Sequence, residues 1–192
     1  MVAAGRLVGD GMDNVFGGLE GGPDEPREGP RIDPAALEPV LDGARVWGVE
    51  LDTRYRVLAA TFEPEPERFA WDHTDDRRIQ VLCFPVSTIL ASLRRESGEQ
   101  RAVLEFDDGQ LLDVVAAFDG ARVQGPLFGR PEPQPGSWGP QFSLQGRSTA
   151  PDGVRHTLTV ALRHEELALD LFARFDELQA TDAAGEWLTL PQ

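Results

Sequence analysis

The apolar positions of this chain change their period several times, and each change marks an element. Residues 1–30 show no period at all: they hold eight Gly and three Pro, and such a composition buries too little apolar surface to offset chain entropy. They are expected to form a disordered, acidic leader. Its one apolar cluster, Val15, Phe16 and Leu19, makes Phe16 a candidate docking residue. Asp33 followed by Pro34 then fits a helix cap with proline in the first turn, and Pro39 limits that helix to a turn or two.

From Ala44 the period is two. Val46 to Leu51 and Tyr55 to Phe62 read as strands joined by a turn at 52–54, and Glu63-Pro64-Glu65-Pro66-Glu67 stops the ladder. Ile79 to Phe84 is a short apolar run suited to a buried strand. After Pro85, the residues Val86, Ile89, Leu90 and Leu93 follow the i, i+3, i+4, i+7 spacing of one helical face, which predicts a short helix around 86–96. A strand bent at Pro85 is the competing arrangement, because Val, Thr and Ile are weak helix formers.

Arg101 to Phe106 and Leu111 to Phe118 are predicted to form a hairpin around Asp107-Asp108-Gly109, and Arg122 to Phe128 a further strand. Gln141 to Arg147 and His156 to Leu162 form another hairpin, and 178–190 a last one. The segment 167–178 fits strand or helix. Leu112 to Asp119 and Leu169 to Asp176 match at an offset of 57 residues, with both aspartates in register; either this is an internal repeat or alternating strands resemble one another. By analogy with the first copy, the second is taken as a strand. About ten short strands with turn signals between them predict an all-β, mainly antiparallel domain over 31–192, a β-sandwich or open barrel.

Charge narrows the function. There are 18 basic residues, all Arg, against 33 acidic ones, a net charge of −15, which argues against a phosphate-backbone binder and hence against nucleic acid as partner. Spread over the roughly 9,000 Å² expected of such a chain, the excess charges lie beyond one Debye length of each other. Only local clustering makes an acidic surface functional. The absence of Lys excludes Schiff-base and P-loop lysines. With a single Asn and three Ile it also suits a GC-rich, bacterial genome. Cys83, the only cysteine, lies in an apolar run and reads as a buried, inert thiol. No signal peptide or membrane span is read in the sequence, so a cytoplasmic protein without membrane contact is expected.

Candidate chemistry is thin. His156 and His164 flank one strand and cannot share a metal. The loop Trp71-Asp72-His73-Thr74-Asp75-Asp76-Arg77-Arg78 offers an imidazole, carboxylates and guanidinium groups, but matches no ligand spacing. No cofactor and no metal site is expected. Arg77, Arg78, Arg94, Arg95 and Arg101 fall within 25 residues, and a bend at Pro85 would bring the two pairs together as a patch for an acidic partner. Trp47 and Trp187 are assigned to the core. Trp71 and Trp138, in proline- or charge-rich loops, are candidate contact residues.

The expected function is therefore a non-enzymatic protein-interaction or assembly module. Its contact candidates are Phe16, Trp71, His73, Arg77, Arg78, Arg94, Arg95 and Trp138, and its partner another protein, further copies of itself or a larger assembly. Two alternatives stand beside it: an acidic, immunity- or antitoxin-like protein that neutralises a basic partner, and a small-molecule enzyme or metal-binding domain using the 71–78 loop.

Overall fold

The structure, a computed structural model, describes residues 29–68, 76–97, 100–133, 142–147 and 156–190. Its element order is α1 (Pro34–Leu41), β1 (Arg45–Asp52), β2 (Val57–Glu63), β3 (Ile79–Ser97), β4 (Gln100–Leu104), a single 3-10 turn (Asp108–Gln110), α2 (Leu111–Ala116), β5 (Leu144–Arg147), β6 (His156–His164) and β7 (Leu167–Asp182). The seven strands make one open antiparallel sheet in the order β1-β2-β3-β7-β6, with β4 and β5 also paired to β3.

The sheet is organised by two long strands. β7 lies along the whole of β3, from Ile79 opposite Asp182 to Arg95 opposite Leu167. The other edge of β3 is shared in turn by β2 (Leu58 opposite Cys83), β5 (Thr88 opposite Arg147) and β4 (Leu93 opposite Leu104). A strand paired on both edges and covered on both faces carries apolar residues almost continuously. This explains why the expected helix at 86–96 is a strand. With a bulge between Val86 and Thr88, Ile89, Ala91 and Leu93 point to the main core and Leu90 to the opposite face. All four are buried, so the apparent helical stripe is the sum of two strand faces. The Phe84–Pro85 peptide is cis, and the ladder to β7 continues on both sides of it, from Phe84 opposite Glu177 to Val86 opposite Phe175.

Leu111 to Phe118 departs from the predicted hairpin in the opposite sense. Asp107 and Gln110 form a reciprocal capping box: the Gln110 amide donates to Asp107 Oδ1 (3.1 Å) and the Asp107 amide to Gln110 Oε1 (3.0 Å). These bonds satisfy amides that a helix start leaves unpaired, so Asp107-Asp108-Gly109-Gln110 opens α2 rather than turning a hairpin. Leu111, Val115 and Phe118 then bury one face of it. Residues 122–128 are likewise not a strand. They make isolated bridges, Arg45 with Arg122 and Phe128 with Leu158, and the Leu127 and Phe128 amides donate to Glu38 (2.9 and 2.8 Å).

The expected hairpin of 141–147 with 156–162 does not form: β5 pairs with β3 and β6 with β7, because the long strands take up both edges. Three other expectations hold. Asp33 caps α1, accepting from the Ala35 amide at 3.0 Å; 167–178 is strand; and β7 turns at 182–186 so that the Leu188 amide donates to Ala180 O (2.9 Å). The main core joins α1 (Leu37, Val40, Leu41), α2 and Leu127 to the inner face of the sheet. Cys83 is fully buried in it, and burial pushes its thiol pKa far up, leaving no thiolate at neutral pH.

Candidate functional site

The two arginine pairs do not meet. β7 is continuous between their positions, which puts Arg78 and Arg94 at opposite ends of β3, roughly 50 Å apart along the strand at its usual rise. Their surroundings differ as well. Arg77 and Arg78 are half-buried; Arg78 binds the Asp76 carboxylate two residues away, with Nε donating to Oδ1 at 2.9 Å. That pairing holds the Asp76 carboxyl below its ordinary range. Arg95 is exposed, whereas Arg94 is 7% exposed and bound to Asp170, 76 residues further on.

Arg94 belongs to a cluster on the sheet face opposite the main core. Ser92 and Asp170 are cross-strand partners, as are Asp170 and Ala161, so pleating places Ser92, Arg94, Asp170 and Arg163 on one side. Asp170 receives Arg94 on one oxygen and Arg163 Nη2 at 2.9 Å on the other. Arg94 Nη1 also donates to Ser92 Oγ (3.0 Å), and Arg163 Nη1 donates to the carbonyls of Leu162 and Leu169. A buried carboxylate with this many donors is structurally committed, and this cluster holds β3, β7 and β6 in register. It is not an accessible anion-reading patch.

The four remaining candidates, Phe16, Trp71, His73 and Trp138, lie outside the described residues, as do Asp72 and Asp75. Among the described residues, no group of three or more His, Cys, Asp or Glu side chains is placed to hold a metal ion, and no helix is long and apolar enough to cross a membrane.

An exposed site that sequence reading missed lies on β1. Strict alternation groups Trp47 with Val49 and Leu51, but the β1–β2 register shifts between Val46 and Gly48. This bulge lets Val46 and Val49 both face the core and turns Trp47 outward, 41% exposed. The ring is fixed in place. Its Nε1 donates to Glu63 Oε2 at 2.8 Å, and one ring edge lies so close to Gly120 (φ +66°) that a Cβ there would be 3.5 Å away. Leu112 of α2 is 36% exposed, and its Cδ1 reaches over Gly48, the residue after Trp47. Trp187, by contrast, is half-buried, with its ring packed on Gly29.

The charges on the elements that carry these two residues are mostly acidic, with Arg45 of β1 exposed two residues before Trp47. From Ala102 to Ala121 the chain carries Glu105, Asp107, Asp108, Asp113 and Asp119 and no Arg, and both the 3-10 turn and α2 pack on β1. Glu50 of β1 is half-buried, and desolvation raises its pKa. The nearby Arg122 is neutralised by Glu65 at 2.6 Å and bound to Gly43 O. Comparison with protein-family models, curated proteins and solved structures gives no match to this chain.

Proposed function

We propose that this chain is a non-enzymatic protein-binding module that docks a basic partner through the Trp47–Leu112 surface. The observation that carries the reading is an exposed tryptophan tied by its ring nitrogen to Glu63, with an exposed leucine over the next residue, Gly48, in a molecule whose segment 102–121 holds five acidic residues and no arginine. Aromatic anchors held in one rotamer lose little entropy on binding, and apolar centres with charged rims are what hot-spot interfaces use. The bulge at Trp47 and the charges on β1 disfavour strand addition at this edge, so recognition falls to side chains. In this reading the segment 1–30 and the segments bearing Trp71 and Trp138 are additional contact elements.

The reading joins the interaction-module expectation to the acidic neutralising one, since complementary charge accelerates encounter and the apolar pair supplies residence. The test is affinity capture by the full chain from its host. One protein is expected to be retained by the wild type, lost with Trp47→Ala and with Leu112→Asp, and released as salt rises from about 50 to 500 mM. A partner retained equally by all three chains would overturn the assignment of this surface.

A further inference from the structure

An open cleft of about 870 Å³, which shares no lining residue with the Trp47 surface, lies between α1, the segment 125–130 and the start of β6. Pro34, Pro39, Pro126 and Phe128 give it apolar walls. Its three carboxylates are all engaged. Asp33 caps α1 through the Ala35 amide; Glu38 accepts the Leu127 and Phe128 amides, one on each oxygen; and Asp42 pairs with Arg68 at 2.9 Å.

Arg130 is held but not neutralised. Its carbonyl accepts from Thr157 Oγ1 at 2.8 Å, and its guanidinium lies against Gly125, where a Cβ would come within 2.3 Å of Nη2. Gly125 also needs its freedom there, at φ +78°. Among the described residues no carboxylate pairs with this guanidinium, although acids outnumber arginines 33 to 18 in the chain. His156, whose ring packs on Phe175 with centroids 5.7 Å apart, lines the same wall.

We infer that this cleft binds a small organic monocarboxylate with an apolar body, the carboxylate on the Arg130 fork and the body against the proline and phenylalanine walls. A planar guanidinium in the lining suits a carboxylate bidentately. Three carboxylates against two guanidinium groups line the cleft, so its field disfavours a dianion such as phosphate more than a monoanion, whose apolar body also gains contact with the walls. The inference stands independently of the Trp47 surface.

The test uses the full chain, with butyrate as probe and the NMR signals of His156, Thr157 and Arg130 as readout. Butyrate is expected to shift these signals saturably in the millimolar range, and inorganic phosphate above neutral pH not to compete. Arg130→Gln is expected to weaken binding about tenfold or more, the worth of one charge-assisted pair. Arg147→Gln, which changes an arginine paired with Glu132 outside the cleft, should leave it unchanged. Arg130→Lys keeps charge and stem but loses the fork; it is expected to bind several-fold more weakly than the wild type and serves if the glutamine variant does not fold. No saturable shift, equal affinity in the Arg130 variants, or phosphate binding as tight as butyrate would overturn the inference.

Discussion

Leu112 to Asp119 and Leu169 to Asp176 share apolar residues and both aspartates in register, yet the first contains most of a surface helix and the second lies in the most enclosed strand of the sheet. Intrinsic propensity does not separate them, since the helical copy carries the β-branched pair Val114 and Val115. What separates them is flanking chemistry and pairing. Asp107 and Gln110 cap the 3-10 turn that runs directly into the helix of the first copy, while β3 and β6 take both edges of the second. The similarity is therefore not a structural repeat. The two leading aspartates share the contrast: Asp113 is exposed, and Asp170 is buried between two guanidinium groups.

The sharpest way to break this comparison is to remove each aspartate. Asp170→Ala takes from buried Arg94 its buried carboxylate partner, leaving Glu96 at 3.5 Å, and removes the carboxylate that Arg163 also binds; it is expected to cost about 3–5 kcal/mol in chemical denaturation. Asp113→Ala is expected to stay within about 0.5 kcal/mol. Replacing both buried charges together, Arg94→Met with Asp170→Leu, should recover most of the loss, because the penalty lies in the unpaired partner rather than in the lost attraction. Equal effects of Asp170→Ala and Asp113→Ala would mean that the cluster contributes nothing to the fold.

The class of the fold was legible because strand-like runs recur between turn signals, and in His156 to Leu162 the core residues Leu158, Val160 and Leu162 alternate with Thr157, Thr159 and Ala161. It was least legible where burial is two-sided or a cap decides. In 86–96 both strand faces are apolar, and their sum mimics a helical stripe. At 107–110 one tetrapeptide satisfies both a turn rule and a capping rule, and the deciding partner, Gln110, lies one residue past the Asp-Asp-Gly signal. Of the site, Trp47 was misplaced by a one-residue bulge, which no periodicity reports. Arg94 was singled out but given the wrong role, since its partner is 76 residues away. An acid flanked by three apolar residues on each side, as Asp170 is, was the available sign of a buried ion pair.

A second measurement asks whether the cap decides the helical copy. Asp107→Ala removes the side-chain acceptor for the Gln110 amide and is expected to cost about 0.5–2 kcal/mol. Amides of 110–115 should exchange faster with solvent in this variant, while those of β7 keep their protection. If the α2 amides were unaffected, packing of Leu111, Val115 and Phe118 would be holding the helix without its cap.

Glu50 supplies an intermediate case between the two aspartates: half-buried like neither of them, and with no arginine to compensate it among the described residues. Burial raises its pKa above 4.5. Between the unfolded and the folded value the native state holds more of this proton than the unfolded chain, so the Glu50 contribution to stability falls as pH rises through that window and levels off above it. Glu50→Gln removes the charge without changing shape. It is expected to match the wild type below pH 4.5 and to exceed it above the window by the size usual for a surface change, about 0.5 kcal/mol. Paired denaturation curves at pH 4 and pH 7 measure this difference. A variant less stable than the wild type at pH 7 would mean that the ionised Glu50 is compensated, as Asp170 is, and that burial of this acid carries no cost.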